Sequence, residues 1–440
     1  MRLTLSWLTL MLVAMAPFLE AQQPTPTSVS LDPILLRPDL WECDQGTLDA
    51  ELGSLHFKWL SKARDVARAS TPGLVFRSQP LNEAILEFDN GKLSEARLSY
   101  FNRGDSSALR KEEFEALLAS ITAELSAATG TTPVDRGPDP ASAVRALGRI
   151  WDAGGTRYLL EWSVTKESRT RAIAFRAEFI RLTLRRLAST RPPVGAAPVR
   201  ARDAVKAFVG RNHVENLPNG DAKLKGLPMV DQGEKGYCVV ASVERIMRYY
   251  GASVDQHELA QIANSDAALG TSTGAMLSSL EKLTARLGIK VRSLCPWKDR
   301  DFLEFVDDYN RATKGGKLAP KLTVTYAARG DAFFSKVKPE IYKQVRLKSH
   351  ADFGRFQREI QRSIDEGTPL LWSVRLGIVS ESNTPHQRTG GHMRIIVGYN
   401  WTTREILYSD SWGQGHEEKR MPLDDAWTIT VDLSSLQPLT

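Results

Sequence analysis

The stretch PMVDQGEKGYCVVASVERIMRYYG, residues 228–251, runs a polar, glycine-containing loop straight into a one-sided helix. Val239, Val240, Val243, Ile246, Met247 and Tyr250 recur at helical spacing and form its apolar side. Glu244, Arg245 and Arg248 face away from that side, and Gly251 supplies a C-cap. An apolar face of this kind must be covered by another layer. The material for that layer lies far downstream. FQREIQRSIDEGTPLLWSVRLG (356–377) reads as a helix and then a buried strand. GGHMRIIVGYN (390–400) is a strand carrying Ile395, Ile396 and Val397, and REILYSDSW (404–412) is another, joined to it by a polar turn at Asn400–Thr403. Between them, residues 255–294 read helix, Gly-Thr-Ser turn, helix, strand, and Pro296–Lys348 reads as an irregular, rather basic insertion. Helices followed by an antiparallel sheet make this part α+β.

Upstream, EAILEFDNGKLSEARLSYF (83–101) alternates about Asn90-Gly91, which predicts a β-hairpin. Phe114, Leu117, Leu118, Ile121 and Leu125 then recur at helical spacing before Gly130, and residues 156–187 predict a second hairpin turning near Lys166 to Arg169. This is a smaller α+β domain with no cluster of catalytic-type residues. RPPVGAAPVRAR, residues 191–202, is rich in Pro, Ala and Gly and marks a linker. The division is therefore 22–190, linker 191–202, and a second domain over 203–440, with no internal repeat.

The opening MRLTLSWLTLMLVAMAPFLEAQQ has a positive start at Arg2, a short apolar core from Leu5 to Leu19, and a small residue at Ala21. It predicts a signal peptide over 1–21, hence a secreted or periplasmic protein with no stable membrane span after removal. The net charge is +6 over 440 residues, with both signs interleaved. The basic run near Arg181–Arg186 reads as a solvated face, and no basic motif interleaved with aromatics is present, so no nucleic acid partner is expected. The three cysteines are Cys43, Cys238 and Cys295. Cys43 and Cys295 either pair or stay buried and unpaired; both readings leave Cys238 free.

A thiol at a helix N-terminus lies near unpaired N–H groups and the positive end of the dipole, which favour the reactive thiolate. Such a nucleophile needs a base, a group that orients the base, and donors for the developing oxyanion. His392 follows Gly390-Gly391 at the start of one strand, and Asp410 ends the next. The Gln232 amide, with the backbone N–H of Cys238, can line an oxyanion hole, and Gly233 and Gly236 let the chain pass close to a carbonyl. His386 and His416 read as surface histidines, and Asp424 and Asp425 as solvated loop residues. No short Cys or His ligand spacing occurs, and no Gly-Lys-Ser/Thr loop, so neither metal nor cofactor is expected.

Gln-x5-Cys at a helix start, Gly-His before a strand and then DSWG resemble the papain-like cysteine peptidases in order, spacing and local structure. The resemblance covers about residues 225–430. It implies a nucleophile at Cys238, a base at His392, its orienter at Asp410, an oxyanion donor at Gln232, and Trp412 shielding the His–Asp contact, with Gly236 and Gly391 in support. Val239-Val240 replace the aromatic pair that follows the papain cysteine, and the preceding double cysteine is missing. Those departures, and the aspartate, are similar to the double-glycine-leader peptidases of bacteria. Such peptidases are usually fused to exporters, and this chain shows no transporter segment. The implied function is a secreted cysteine peptidase acting on a peptide or protein substrate, with oligomeric state open. A non-catalytic peptide-binding module and a transglutaminase-like acyl-transfer enzyme remain as alternatives. The first domain lacks the long helical pattern of a propeptide, which favours docking or structural support.

Overall fold

A computed structural model describes residues 28–439 except 105, 107, 139–143, 170–171, 188–200, 234–235, 253, 266–270, 324–330, 383 and 385–388. The expected signal peptide lies outside the described residues. So does the expected linker, apart from Ala201 and Arg202, which already begin a helix, Ala201–Ala207. The architecture is α+β, with two eight-stranded sheets and helices packed on them.

In the N-terminal half the sheet order is Lys58–Trp59, Val66–Ala69, Glu83–Asp89, Lys92–Asn102, Ala172–Arg186, Thr156–Arg169, Ala146–Ala153 and Val134–Arg136, every pair antiparallel. The first predicted hairpin turns at Asn90 (φ 49°) and Gly91 (φ 80°), the left-handed pair that a tight two-residue turn requires. The second hairpin runs further than expected. Pairing continues through Lys166–Arg169 to Arg169 opposite Ala172. The polar residues there disguise a strand, because ladder bonds come from the backbone and do not require an apolar sequence. The helix Lys111–Thr129 covers the sheet, with Phe114 edge-on to Phe101 and Phe175 and with Gly130 left-handed beyond its end.

In the C-terminal half the order is Val214–Asn216, Ala222–Leu224, Gly390–Asn400, Leu370–Leu376, Thr430–Pro438 and Ile289–Ser293. Glu405–Ser409 pairs with Gly390–Asn400, and Lys419–Pro422 pairs beyond it. The helix Cys238–Tyr249 packs against Gly390–Asn400, so the layer expected for its apolar face is the one found.

Two further expectations need correction, and one open choice is decided. The segment 296–348 is mostly helical where described: Asp299–Ala312 buries Phe302, Phe305, Val306 and Tyr309, and Pro339–Arg346 buries Ile341, Tyr342 and Val345. Those spacings of three and four were legible, but the lysines between them read as loop. Asp424 and Asp425 lie in the first turn of the helix Leu423–Ile429, where carboxylates suit the dipole, and pair with Arg404 and Lys343. Cys43 and Cys295 are free and buried in different hydrophobic cores, so the pairing alternative is not the one realised.

The polar face of the Cys238 helix is not solvated. Glu244 and Arg245 are both buried. The sheet of the N-terminal half covers this side. Arg248 pairs with Glu87, and Arg181 pairs with Asp255 and Glu258. Arg181 therefore belongs to a buried ion network rather than to a solvated face. Arg103 and Arg176 both donate to Asn264 Oδ1, and Leu60, Val66 and Met229 form a small apolar cluster across the same boundary. Among the described residues no helix is long and apolar enough to cross a membrane.

Candidate active site

The central geometry follows from strand register. Ile395 lies opposite Ser409 in the antiparallel pair Gly390–Asn400 and Glu405–Ser409. Continuing that register sets Arg394 opposite Asp410 and His392 opposite Trp412. Alternate residues share a face, so all four side chains stand on one side of the sheet. The contacts agree. The His392 and Trp412 rings stack at 4.5 Å and 17°. His392 Nε2 lies 3.0 Å from Asp410 Oδ1, and Arg394 Nε donates to the same oxygen at 2.8 Å. Lys419 Nζ donates to Oδ2 at 2.9 Å and lies 5.1 Å from the centroid of the Trp412 ring.

The helix starting at Cys238 brings the thiol to this strand end. Arg245, two turns along, is fully buried and ties the parts together: it donates to Asp410 O at 3.0 Å, to Ser409 Oγ at 2.6 Å and to Pro228 O at 2.8 Å. Its neighbours are mostly neutral, and burial pushes its pKa down to about 10. Gln232 is buried beside the same strand. Its N–H donates to Ser411 O at 2.9 Å, and its Oε1 accepts from Ser411 Oγ at 2.8 Å. That second bond orients the amide.

Cys238 is half-buried and interacts with His392, whose Nδ1 has no fully aligned hydrogen bond. Contacts of this kind are often loose without substrate. Burial alone would raise the thiol pKa. Hydrogen bonding and charge from His392, with backbone contacts at Met393 and Val239, outweigh burial and hold it below the usual thiol value. For His392, burial lowers the pKa, but Asp410 and then Cys238 raise it above the ordinary histidine value. Asp410 is held far below the carboxylate range: burial opposes this, and the charge of Arg394, followed by His392, overcomes it. The opposed shifts at Cys238 and His392 favour a thiolate–imidazolium pair, which supports nucleophilic attack followed by proton return.

The predicted supports are placed as follows. Gly236 is exposed, and its carbonyl accepts from Thr271 N at 3.2 Å. Gly391 is exposed, and a Cβ there would meet nothing within 4 Å, so the space beside His392 is open. Of the rival histidines, His386 lies outside the described residues. His416 is buried, edge-on to Trp412 at 5.4 Å, and is not the surface residue expected. The tight bend at Gly413 (φ 79°) folds the chain back over the indole, and the His416 carbonyl accepts from Asp410 N. Among the described residues no group of three or more His, Cys, Asp or Glu is arranged to hold a metal.

Sequence reasoning missed Arg394, Lys419, Arg245 and the N-terminal contribution. Arg394 carried a signal, since it is two residues from His392 on the same strand face. Arg68 carried none. It comes from the first sheet, pairs with Glu83, and donates from Nη1 to Asp231 O at 3.1 Å. A Cβ on Gly233 (φ 69°) would lie 2.7 Å from Arg68 Nη2, so glycine is needed there both for its backbone angle and for the close approach. Tyr237, immediately before the thiol, is fully buried and accepts from Asn102 Nδ2 at 3.3 Å. A Cβ on Gly104 would fall 1.2 Å from the Tyr237 hydroxyl. Gly104→Ala is therefore expected to displace Tyr237, costing about 1–3 kcal/mol as overpacking does. Thermal unfolding, together with slower alkylation of Cys238, would register the displacement; an unchanged melting temperature would contradict it.

Residues 224–434 match the Peptidase_C39 like family. Among solved structures, xylellain, a cysteine protease from Xylella fastidiosa, is similar over 50% of this chain and 87% of that chain, at 14% sequence identity and a TM-score of 0.27. No curated protein matches the chain. The family match spans the helix of Cys238 and the strands of His392 and Asp410, so it is the C-terminal half of this protein that is similar to the Peptidase_C39 like family.

Proposed function

We propose that residues 203–440 form a cysteine peptidase domain, preceded by a smaller α+β domain over 22–190, in a protein exported by a signal peptide. The observation that carries the reading is the placement of the Cys238 thiol against His392, whose other nitrogen faces the buried Asp410. In the proposed reaction the Cys238 thiolate attacks a peptide carbonyl. The developing oxyanion is received by the Gln232 amide and the Cys238 N–H. His392 gives its proton to the leaving amine as the C–N bond breaks, then takes one from water, which attacks the thioester and releases the acid and the thiol. The N-terminal part acts as a docking and supporting module. Its ion pairs and apolar contacts run along the polar side of the Cys238 helix, and the thiol keeps partial exposure.

Alkylation by iodoacetamide tests the site directly. Because the Cys238 pKa is lowered, thiolate is present at pH values where an ordinary thiol, with a pKa of about 8.5, is protonated. The labelling rate at Cys238 is expected to rise through a midpoint below that value. His392→Ala should move the midpoint up. Burial raises the thiol of Cys43, and pushes that of Cys295 up to about 12, so both should label slowly. A Cys238 midpoint at or above the ordinary thiol value would count against the proposal.

A further inference from the structure

Beside the site lies a cavity of about 930 Å³ built from both halves of the chain. Lys58, Trp59 and Thr71 line it from the first sheet, and Gly233, Trp412 and Gly413 line it from the site. Its size is that of a ligand pocket. We propose that this cleft binds the part of a substrate peptide beyond the scissile bond, on the leaving-amine side, and favours an acidic side chain there. The inference rests on the peptidase reading of the site.

Direction follows from chemistry. The leaving nitrogen must lie at His392, which gives it a proton. The Trp412 ring lies flat against His392 and also forms a wall of the cleft. Gly233, which lines the same cleft, is the neighbour of Gln232. Chain continuing from the leaving nitrogen past the indole therefore enters the space walled by the first sheet. That wall is preorganised. The Trp59 indole donates to Asp49 Oδ1 at 2.8 Å and packs on Phe88 at 5.2 Å.

The charge preference follows from what is already neutralised. Asp231, the acidic residue lining the cleft, is engaged by Arg68 at 3.5 Å and by the Gly233 N–H at 2.8 Å. Arg68 in turn is taken by Glu83. Lys58 stands opposite Arg68 on the same sheet face, is exposed, and has no carboxylate partner among the described residues. With Arg68 already matched by Glu83 and Asp231, a substrate carboxylate would find its partner in Lys58. A regulatory anion or a propeptide would not need continuity with Trp412 and Gly233, whereas a substrate does.

The test uses two probes on the full chain. One is a quenched octapeptide library randomised on both sides of the scissile bond. The other is a peptidyl p-nitroanilide library, which has no residue beyond the leaving nitrogen. Thr71→Trp, which fills the cleft, should lower the ratio of kcat/KM for octapeptides over anilides roughly tenfold, the scale of a lost hydrophobic contact. Mass spectrometry of wild-type products should show Asp and Glu enriched in the released amine-side fragments, and Lys58→Glu should replace them with Lys and Arg. An unchanged ratio, or no charge reversal, overturns the proposal. If the wild type turns over neither probe, the peptidase reading fails on its own. The cleft is then judged by fluorescence anisotropy of fluorescein-labelled acidic octapeptides on the Cys238→Ala protein. Weaker binding after adding Thr71→Trp supports it, and equal binding overturns it.

Discussion

Replacing Cys238 by alanine is expected to abolish hydrolysis while leaving the fold intact. The substitution removes one half-buried sulfur from the first turn of the helix Cys238–Tyr249, and alanine is the best helix former. Stability should change by no more than about 1 kcal/mol, as for most changes that break no buried network. Activity should fall by roughly 10⁴- to 10⁶-fold, because the bond-forming atom is gone and His392 has nothing to activate. Residual rate above water would come from the oxyanion donors alone. The check is kcat/KM on the octapeptide library beside a thermal melt. Unchanged hydrolysis with an intact melt would remove Cys238 from the mechanism.

Asp410→Asn is expected to impair both stability and rate. Asparagine keeps the shape of the side chain, but the carboxylate here is fully buried and accepts on both oxygens. Arg394 and His392 face Oδ1, and Lys419 faces Oδ2. Whichever way the amide is turned, its NH2 group confronts a donor. In either turn Lys419 loses the carboxylate charge it holds at 2.9 Å, while Arg394 keeps Glu381 at 2.7 Å. Breaking a buried pair in this way costs about 3–5 kcal/mol. The sign with pH is fixed by the depressed carboxyl. Its contribution is present above the unfolded titration near pH 4 and is lost as pH falls below it, so the gap between wild type and variant should narrow on acidification. Losing the orienting carboxylate should also lower kcat by roughly 10²–10⁴-fold, and should let His392 deprotonate at lower pH, moving the alkaline limb of activity downward. Chemical denaturation at two pH values and a kcat profile would check both. A variant as stable as wild type at neutral pH would contradict the ion-pair argument.

Much of the candidate site was legible because its signals are local. A lone thiol before an amphipathic helix, Gly-Gly-His at a strand start and Asp-Ser-Trp-Gly after the next strand each sit within a few residues. Two apolar strands joined by a four-residue turn bring the last two together through register alone. Arg394 was half-legible, as a cation inside the apolar run HMRIIV and in phase with His392. His416 was misread because polar neighbours and a glycine-rich turn look like surface, whereas the Gly413 bend carries it under Trp412. Glu244 and Arg245 fall on the expected side of their helix, but the pattern gives no environment for them. Helical period reports which residues share a face, not what that face meets.

The sequence by itself determined the α+β class, the two hairpins, the Cys238 helix and the order of the four candidate site positions. Those features follow from backbone propensity, side-chain period and turn chemistry, which act over a few residues. Only the tertiary structure decided what surrounds them. It set Arg68 against the loop carrying Gln232, Asn102 and Gly104 against Tyr237, and Arg181 against Asp255 and Glu258. These contacts join positions more than seventy residues apart. They arise because the first sheet and the segments that face it both carry polar and charged groups that are stable in the interior only when matched to one another. No local pattern encodes such matching, so the participation of the N-terminal half in the site became visible only once the chain was folded.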